Sequence, residues 1–295
     1  MATIIRKELA DYFTSIRIFI LFLLVFLASA AGLYAAYQGI RGVEAGTTGF
    51  VFLKLFTTSG GVIPSLVTFI ALFVPIIGIA LGFDAINSER SGGTLSRIMS
   101  QPVYRDNVIN AKFLAGIVTL SIMTLVTILI VSGYGLRMIG VPPTQEEIIR
   151  LFLYLVITIV FGAFWMGLAI LFSVLFRRIA TSLLSSLALW LFFGFFYVNL
   201  IVPAVAKTTE AYLLLQRFSP NTLFQEATTV LLLPQWRGAG ILTAGEEVAY
   251  MLLNPLSLGQ SMLIIWPQLT SLISLTIICF AVSYVLFMRQ EIRAT

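Results

Sequence analysis

Six long uncharged stretches, residues 18–37, 62–83, 113–136, 151–176, 179–206 and 263–288, set the pattern of the chain. A helix needs about 20 mostly apolar residues to cross the hydrocarbon core of a bilayer, and each stretch meets that length. The pattern predicts six membrane-spanning helices. The second stretch contains Pro64 and Pro75. Pro75 is expected to kink its helix, which lipid-embedded helices tolerate when neighbours satisfy the freed carbonyl. Only Arg177 and Arg178 separate the fourth stretch from the fifth. Such a pair is costly at mid-membrane, so these two spans form a tight hairpin with the arginines at its turn.

Ahead of the first span, Ile4, Ile5, Leu9, Tyr12, Phe13 and Ile16 recur at three- and four-residue spacing. Arg6, Lys7, Asp11 and Thr14 fall elsewhere around the wheel, with Lys7 and Asp11 at i, i+4. Residues 1–17 are therefore expected to form an amphipathic helix lying in the membrane interface. A competing outline is a signal peptide, with Arg6 and Lys7, an apolar run and Ala28-Ser29-Ala30 as a cleavage site. The run is longer than the roughly 7–15 residues of such a segment.

Composition agrees with a bilayer as solvent. The 295 residues are 59% hydrophobic and 11% charged, with a mean hydropathy of +1.01, whereas a soluble domain carries about 25% charged residues. Histidine is absent and Cys279 is the one cysteine, which excludes a Ser-His-Asp triad, a two-histidine haem site and a structural zinc site. Cys279 is expected to be a small buried hydrophobe. No metal site is expected in this chain.

The few charges are informative by their placement. Six spans put both termini on one side, and eleven of the 18 Lys and Arg residues lie there, against seven on the other. With acids counted, the sides carry +5 and zero. The positive-inside rule then places both termini in the cytoplasm, in a multi-pass protein of the cell membrane. The +5 net charge gives no reason to expect a nucleic-acid partner. No ionisable residue falls well inside a span, which argues against an ion-coupled carrier, a voltage sensor or an intramembrane protease. The chain also lacks the G-x-x-x-x-G-K-[ST] phosphate loop, so any nucleotide hydrolysis must come from another polypeptide.

Residues 84–112 form the longest cytoplasmic loop and the densest polar cluster. Gly92-Gly93 breaks the helix descending from the second span, and Thr94 is placed to cap a short helix. There Leu95, Ile98 and Met99 share one apolar face at i, i+3, i+4 before Pro102 ends it. Asp106 is placed to cap the next helix. A short amphipathic helix held parallel to the membrane suits docking into a groove on a soluble partner.

This loop resembles that of ABC-2 type transporter permeases. The resemblance is carried by Phe83, Asp84, Ala85, Ile86, Glu89, Gly93, Thr94, Leu95, Ser100, Gln101, Pro102, Val103, Arg105 and Lys112. It extends over nearly the whole chain, including the turn from Leu171-Phe172-Ser173 to Arg177-Arg178. Within the family it leans loosely towards permeases of nitrous-oxide reductase copper maturation. The resemblance implies an all-α integral membrane protein forming a single domain over residues 1–295. It implies six spans, an interfacial helix at 1–17, a coupling loop at 84–112 and short outer helices within 207–262. It also implies ATP-driven export powered by two copies of a separate P-loop ATPase, which holds the ATP and magnesium, so that this chain has no catalytic site or cofactor of its own. The permease itself would pair as a homodimer or with a paralogue.

By the same resemblance, Leu95, Ile98 and Met99 would insert into the ATPase. Glu89 and Arg90 would brace the coupling helix, and Gly93, Thr94, Gln101, Pro102 and Arg105 complete the coupling set. A non-transporting membrane scaffold that uses the same ATPase docking is an alternative, and an ion-coupled carrier a weaker one.

The outer stretch 207–262 holds two similar pieces, Ser219-Pro220-Asn221 and Asn254-Pro255-Leu256, each with a cap residue followed by proline, a helix start. Trp236 and Trp266 are expected as interface anchors. Spans two and five are the expected lining of a cavity between copies, by resemblance alone.

Overall fold

The computed structural model describes residues 1–41, 50–59, 63–93, 104–235 and 255–290. Among these the secondary structure is helical, with no strand. In chain order the helices are α1 (Ala2–Thr14), α2 (Ile16–Arg41), α3 (Lys54–Thr57), α4 (Leu66–Gly82), α5 (Asn87–Ser91) and α6 (Arg105–Ile139). Next come α7 (Gln145–Leu175), α8 (Ile179–Leu191), a π-helical segment (Phe192–Ile201), α9 (Val202–Val205), α10 (Thr209–Gln216), α11 (Pro220–Leu232) and α12 (Leu258–Arg289).

Among the described residues, six helical stretches are long and apolar enough to cross a membrane. They are α2, α4, α6, α7, the continuous run α8–π–α9, and α12, and each overlaps the run of apolar residues that predicted it. The face carrying the start of α2 and the end of α12 is called the terminal face below. The other is the opposite face.

Helix α7 is the axis of the bundle, packed against α4, α6, α11 and α12. Its close partnership with α4 comes from Gly78 and Gly82, one helical turn apart on α4. A Cβ at Gly78 would sit 2.5 Å from the Gly162 carbonyl oxygen, and one at Gly82 would sit 2.6 Å from the Met166 carbonyl oxygen. Only glycine lets the two backbones meet there, the small-xxx-small solution to packing helices in lipid. Trp165, Phe161 and Tyr154 of α7 are fully buried around this seam, and Phe161 stacks on Phe224 of α11 at 4.3 Å. The helices carrying spans two and four are the most enclosed. Span five is the least enclosed, with Leu184, Phe195 and Leu200 exposed along it.

Several local expectations are revised. Helix α6 begins at Arg105 with Tyr104 in the capping position, because Asp106 turns its carboxylate onto the neighbouring Asn107 N–H instead of capping from outside. Pro220 does start α11, but its partner motif does not start α12. There Ser257 caps, its hydroxyl accepting from Gln260 N–H while the Gln260 side chain accepts from Ser257 N–H. A reciprocal capping box satisfies two orphan donors, which the Asn254-Pro255 pair could not do. Cys279 is half-buried on α12 rather than buried.

The opposite face is tied down by one arginine. Arg150, near the start of α7, is fully buried. Its Nη1 donates to the Leu231 carbonyl (2.8 Å) and to Ser261 Oγ (3.1 Å), and its Nη2 to the Leu256 carbonyl (2.7 Å). Nε and Nη2 both donate to Glu146 Oε1, at 3.1 and 2.8 Å. Five hydrogen bonds reach four acceptor atoms, Glu146 Oε1 taking two of them, so the guanidinium is fully satisfied without water. The next acid, Glu147, accepts from the Thr144 N–H that precedes its helix (2.8 Å) and from Phe52 N–H ahead of α3 (2.9 Å).

Candidate coupling site

The terminal face gathers three elements around one buried lysine. Lys112, on α6, is 4% exposed, and its Nζ lies 3.0 Å from Glu8 Oε1 of α1 and 2.9 Å from Glu89 Oε1 of α5. Both carboxylates are buried as well. A buried ammonium with two acids on different elements is a three-way clamp, because removing the lysine leaves two carboxylates out of water without their buried cation. Lys7, more than half exposed, adds an outer contact to Glu8 (3.2 Å), to Glu89 (3.7 Å) and to Asp11 (3.4 Å). Burial alone would lower the Lys7 pKa, but these three carboxylates hold the proton and raise it above the ordinary lysine value.

The helix α1 is therefore amphipathic in a modified sense. Ile4, Ile5, Leu9 and Tyr12 are partly buried, while Phe13 and Ile16 are 54% and 72% exposed. Glu8 sits on the inward face, a position the wheel assigned to apolar residues. Tyr12 donates its hydroxyl to the Leu81 carbonyl at 3.1 Å, and burial pushes its pKa up, keeping it a donor. Arg17, at the start of α2, meets Asp84 at 2.6 Å and lies over the Phe83 ring.

Helix α5 is positioned from the other side by the α7–α8 hairpin. Ser173 Oγ accepts from the Ile86 and Asn87 N–H groups at 2.9 and 3.1 Å, filling part of the donor deficit at the start of α5. Ser182, just past the Arg177-Arg178 turn, donates to the Phe83 carbonyl at 2.8 Å. Helix α5 ends at Ser91, and Gly93 then takes φ +66°, a left-handed turn that glycine adopts without strain.

Arg90 and Arg105 reach a different partner, the end of α12. Arg90 Nη2 donates to Gln290 Oε1, Arg105 Nη1 donates to the Gln290 carbonyl at 3.1 Å, and Gln290 Nε2 donates to the Val174 carbonyl at 2.7 Å. One glutamine thus joins the residues on both sides of the coupling loop to spans four and six. Of the ten predicted coupling residues, Glu89, Arg90 and Arg105 lie in these networks and Gly93 makes the turn after α5. Thr94, Leu95, Ile98, Met99, Gln101 and Pro102 lie outside the described residues, as does Trp236.

Glu8, Ser173 and Gln290 were missed by reasoning from the sequence. Glu8 carried a signal, since it lies four residues from both Ile4 and Tyr12 and so on their face. Ser173 stood within the recognised turn. Nothing in the sequence pointed to Gln290. The cluster borders a cavity of about 240 Å3 lined by Lys7, Glu8, Asp84, Glu89 and Lys112. Its arrangement is suited to transmitting force: two short elements, α1 and α5, are fixed by charge to the end of a long span, α6.

Residues 2–292 match the family model described as ABC-2 family transporter protein. The chain is similar to the "Probable ABC transporter permease protein NosY" of Pseudomonas aeruginosa, with 28% identity over 262 residues, 83% of this chain and 85% of the relative. A six-span helical bundle whose interfacial helix, post-span-two helix and spans are knit together at one face, and which matches that family from end to end, belongs to the ABC-2 family of transporter membrane proteins.

Proposed function

We propose that this permease is the membrane half of an ATP-driven exporter. A separate P-loop ATPase docks on the loop over residues 94–103, with Leu95, Ile98 and Met99 as its apolar contact. The observation that carries this reading is the network around that loop. The segment leading in is clamped by Glu89 to α1 and α6, and the segments on both sides are held by Gln290 to α12. A displacement of the loop is thereby delivered to spans two, three, four and six together. A loop that served topology alone would have no need of a buried lysine with two acids.

The terminal face is cytoplasmic in this reading, as its basic excess requires. Two permease copies and two ATPase subunits form the working assembly, with ATP and magnesium held by the ATPase. The exposed apolar faces of α2 and span five are available to lipid and to the second copy. Alternating access follows when ATP closes the ATPase pair and the coupled ends of the spans move with it. The test is co-reconstitution with a P-loop ATPase and measurement of ATP-dependent transport in liposomes. ATP turnover with no movement of any solute would favour the scaffold instead.

A further inference from the structure

The charges of the terminal face are unevenly matched. Its acids among the described residues are all engaged. Lys112 and Lys7 hold Glu8 and Glu89, Lys7 holds Asp11, and Arg17 holds Asp84. Asp106 accepts from the Asn107 N–H. Among the described residues, no ion pair includes Arg90, Arg105, Arg177, Arg178 or Arg289. These arginines meet at one corner. Arg90 and Arg105 both donate to Gln290, and Gln290 donates to the Val174 carbonyl at 2.7 Å. Arg289 directly precedes Gln290, and Arg177 and Arg178 follow shortly after Val174, at the turn between α7 and α8. The node of this corner is a neutral glutamine, so the positive charge gathered around it has no counter-charge. Arg177, Arg178 and Arg289 are exposed.

An apolar track runs up to the same corner. Ile278, Val282 and Val285 of α12 are 57%, 43% and 44% exposed. With Arg289 they fall at i, i+4, i+7 and i+11, which is one stripe along a helix. At about 1.5 Å per residue the stripe covers about 16 Å, roughly half of a hydrocarbon core about 30 Å thick. Leu175, at the end of α7, and Met288 are also exposed beside the arginines. Helix α12 packs chiefly on α7, α11 and α6, and the stripe is the side it turns outward, to lipid.

We propose that this corner is a docking site for an anionic glycerophospholipid of the adjoining leaflet. Its phosphate sits between Arg289 and the Arg177-Arg178 turn, and its acyl chains follow the α12 stripe. Both ends of such a molecule are matched. A guanidinium fork takes two phosphate oxygens at once, and basic groups between span ends at headgroup level are where anionic lipids gather. A phosphatidylcholine head brings its own cation to a corner already in positive excess. An acidic segment of a soluble protein answers the arginines but leaves the stripe uncovered. The bound lipid supplies the missing counter-charge at the node where Gln290 joins both sides of the coupling loop to spans four and six. Occupancy needs neither nucleotide nor ATPase.

The test uses the full chain in phosphatidylcholine nanodiscs doped with phosphatidylglycerol of the same acyl chains, with no nucleotide or ATPase present. Native mass spectrometry of the released chain counts the lipids that stay bound. The expected result is saturable retention of phosphatidylglycerol above its share of the bilayer. Added salt should weaken it, and glycerol 3-phosphate, a head without chains, should not displace it. One arginine near an anionic surface changes binding about fivefold. Arg289→Gln should therefore raise the half-saturating phosphatidylglycerol fraction about fivefold, and Arg177→Gln, Arg178→Gln and Arg289→Gln together should remove the preference. Arg6 is the control: it is exposed on the same face and in no ion pair, but it lies on α1, and Arg6→Gln should change nothing. If the triple variant does not insert as a single species, Arg289→Gln, which spares the α7–α8 turn, carries the test. Equal retention of both lipids, or an equal loss in Arg6→Gln, would overturn the proposal. Displacement by glycerol 3-phosphate would overturn it in favour of a soluble phosphate. A triple variant that keeps phosphatidylglycerol but loses ATPase binding in pure phosphatidylcholine would overturn it in favour of the ATPase. Failure of the wild type to dock an ATPase would leave the lipid results unchanged.

Discussion

Replacing Lys112 with methionine keeps the volume of the side chain and removes the one buried cation of the coupling cluster. Glu8 and Glu89, at 6% and 9% exposure, would then face each other as buried acids. Breaking a buried ion pair by removing one partner costs about 3–5 kcal/mol. The 240 Å3 cavity beside the cluster lets water relieve part of that charge, which places the cost near the lower end, about 3 kcal/mol. Lys7 is the internal control, since it touches the same two carboxylates but is 55% exposed, and exposed pairs contribute about 0–1 kcal/mol. Unfolding free energies of Lys112→Met and Lys7→Met, measured in detergent micelles, should therefore differ by about 2 kcal/mol or more. The triple variant Lys112→Met, Glu8→Gln, Glu89→Gln should recover most of the stability, because no unpaired charge remains. It should not recover ATP-driven transport, because the clamp is gone. Equal costs for the two lysines, or full transport in the triple variant, would show that Lys112 does not clamp α1 and α5 to α6.

Three further outcomes follow from the same geometry. Arg150→Lys should destabilise by about 2–4 kcal/mol, since an ammonium has three donors for a site that uses five; thermal unfolding and proteolysis of the 233–257 stretch report it. Gly78→Val should force α4 away from α7 and lower stability by about 1–3 kcal/mol, with a larger loss than Gly133→Val, where an added Cβ meets nothing. Burial raises the Glu226 pKa above the ordinary carboxylate value, against the opposing pull of Gln268 and Arg217. Its contribution to stability is thus full below pH 4.5 and is lost as pH rises through the raised value. Glu226→Gln should remove that slope from a pH series of unfolding temperatures.

The spans were legible because lipid imposes one simple demand, a run of apolar residues of fixed length. The loop motif was legible because its glycines, its proline and its i, i+3, i+4 apolar trio have local meaning. What stayed hidden was long-range. Lys112 stands in the sequence only as one of the residues that carry the family resemblance, and only the fold brings it to acids 104 and 23 residues away. Gln290 is an ordinary glutamine at a helix end until span six is packed beside span four. Gly78 and Gly82 show the same limit. Their spacing was present in the sequence, but its use depended on which helix α7 presented to them. The π-helical segment of span five also left no mark, since Phe192–Ile201 has the composition of any apolar helix.

In the proposed mechanism an external ATPase grips residues 94–103 and drives the spans through the clamp. Its most direct test is co-purification of a P-loop ATPase, encoded beside this chain, with the wild-type permease and with a Leu95→Asp, Ile98→Asp variant, followed by ATPase assay in liposomes. The wild type should retain the ATPase and stimulate its turnover, and the variant, folded and inserted, should do neither. Undiminished binding and stimulation with both aspartates in place would contradict it.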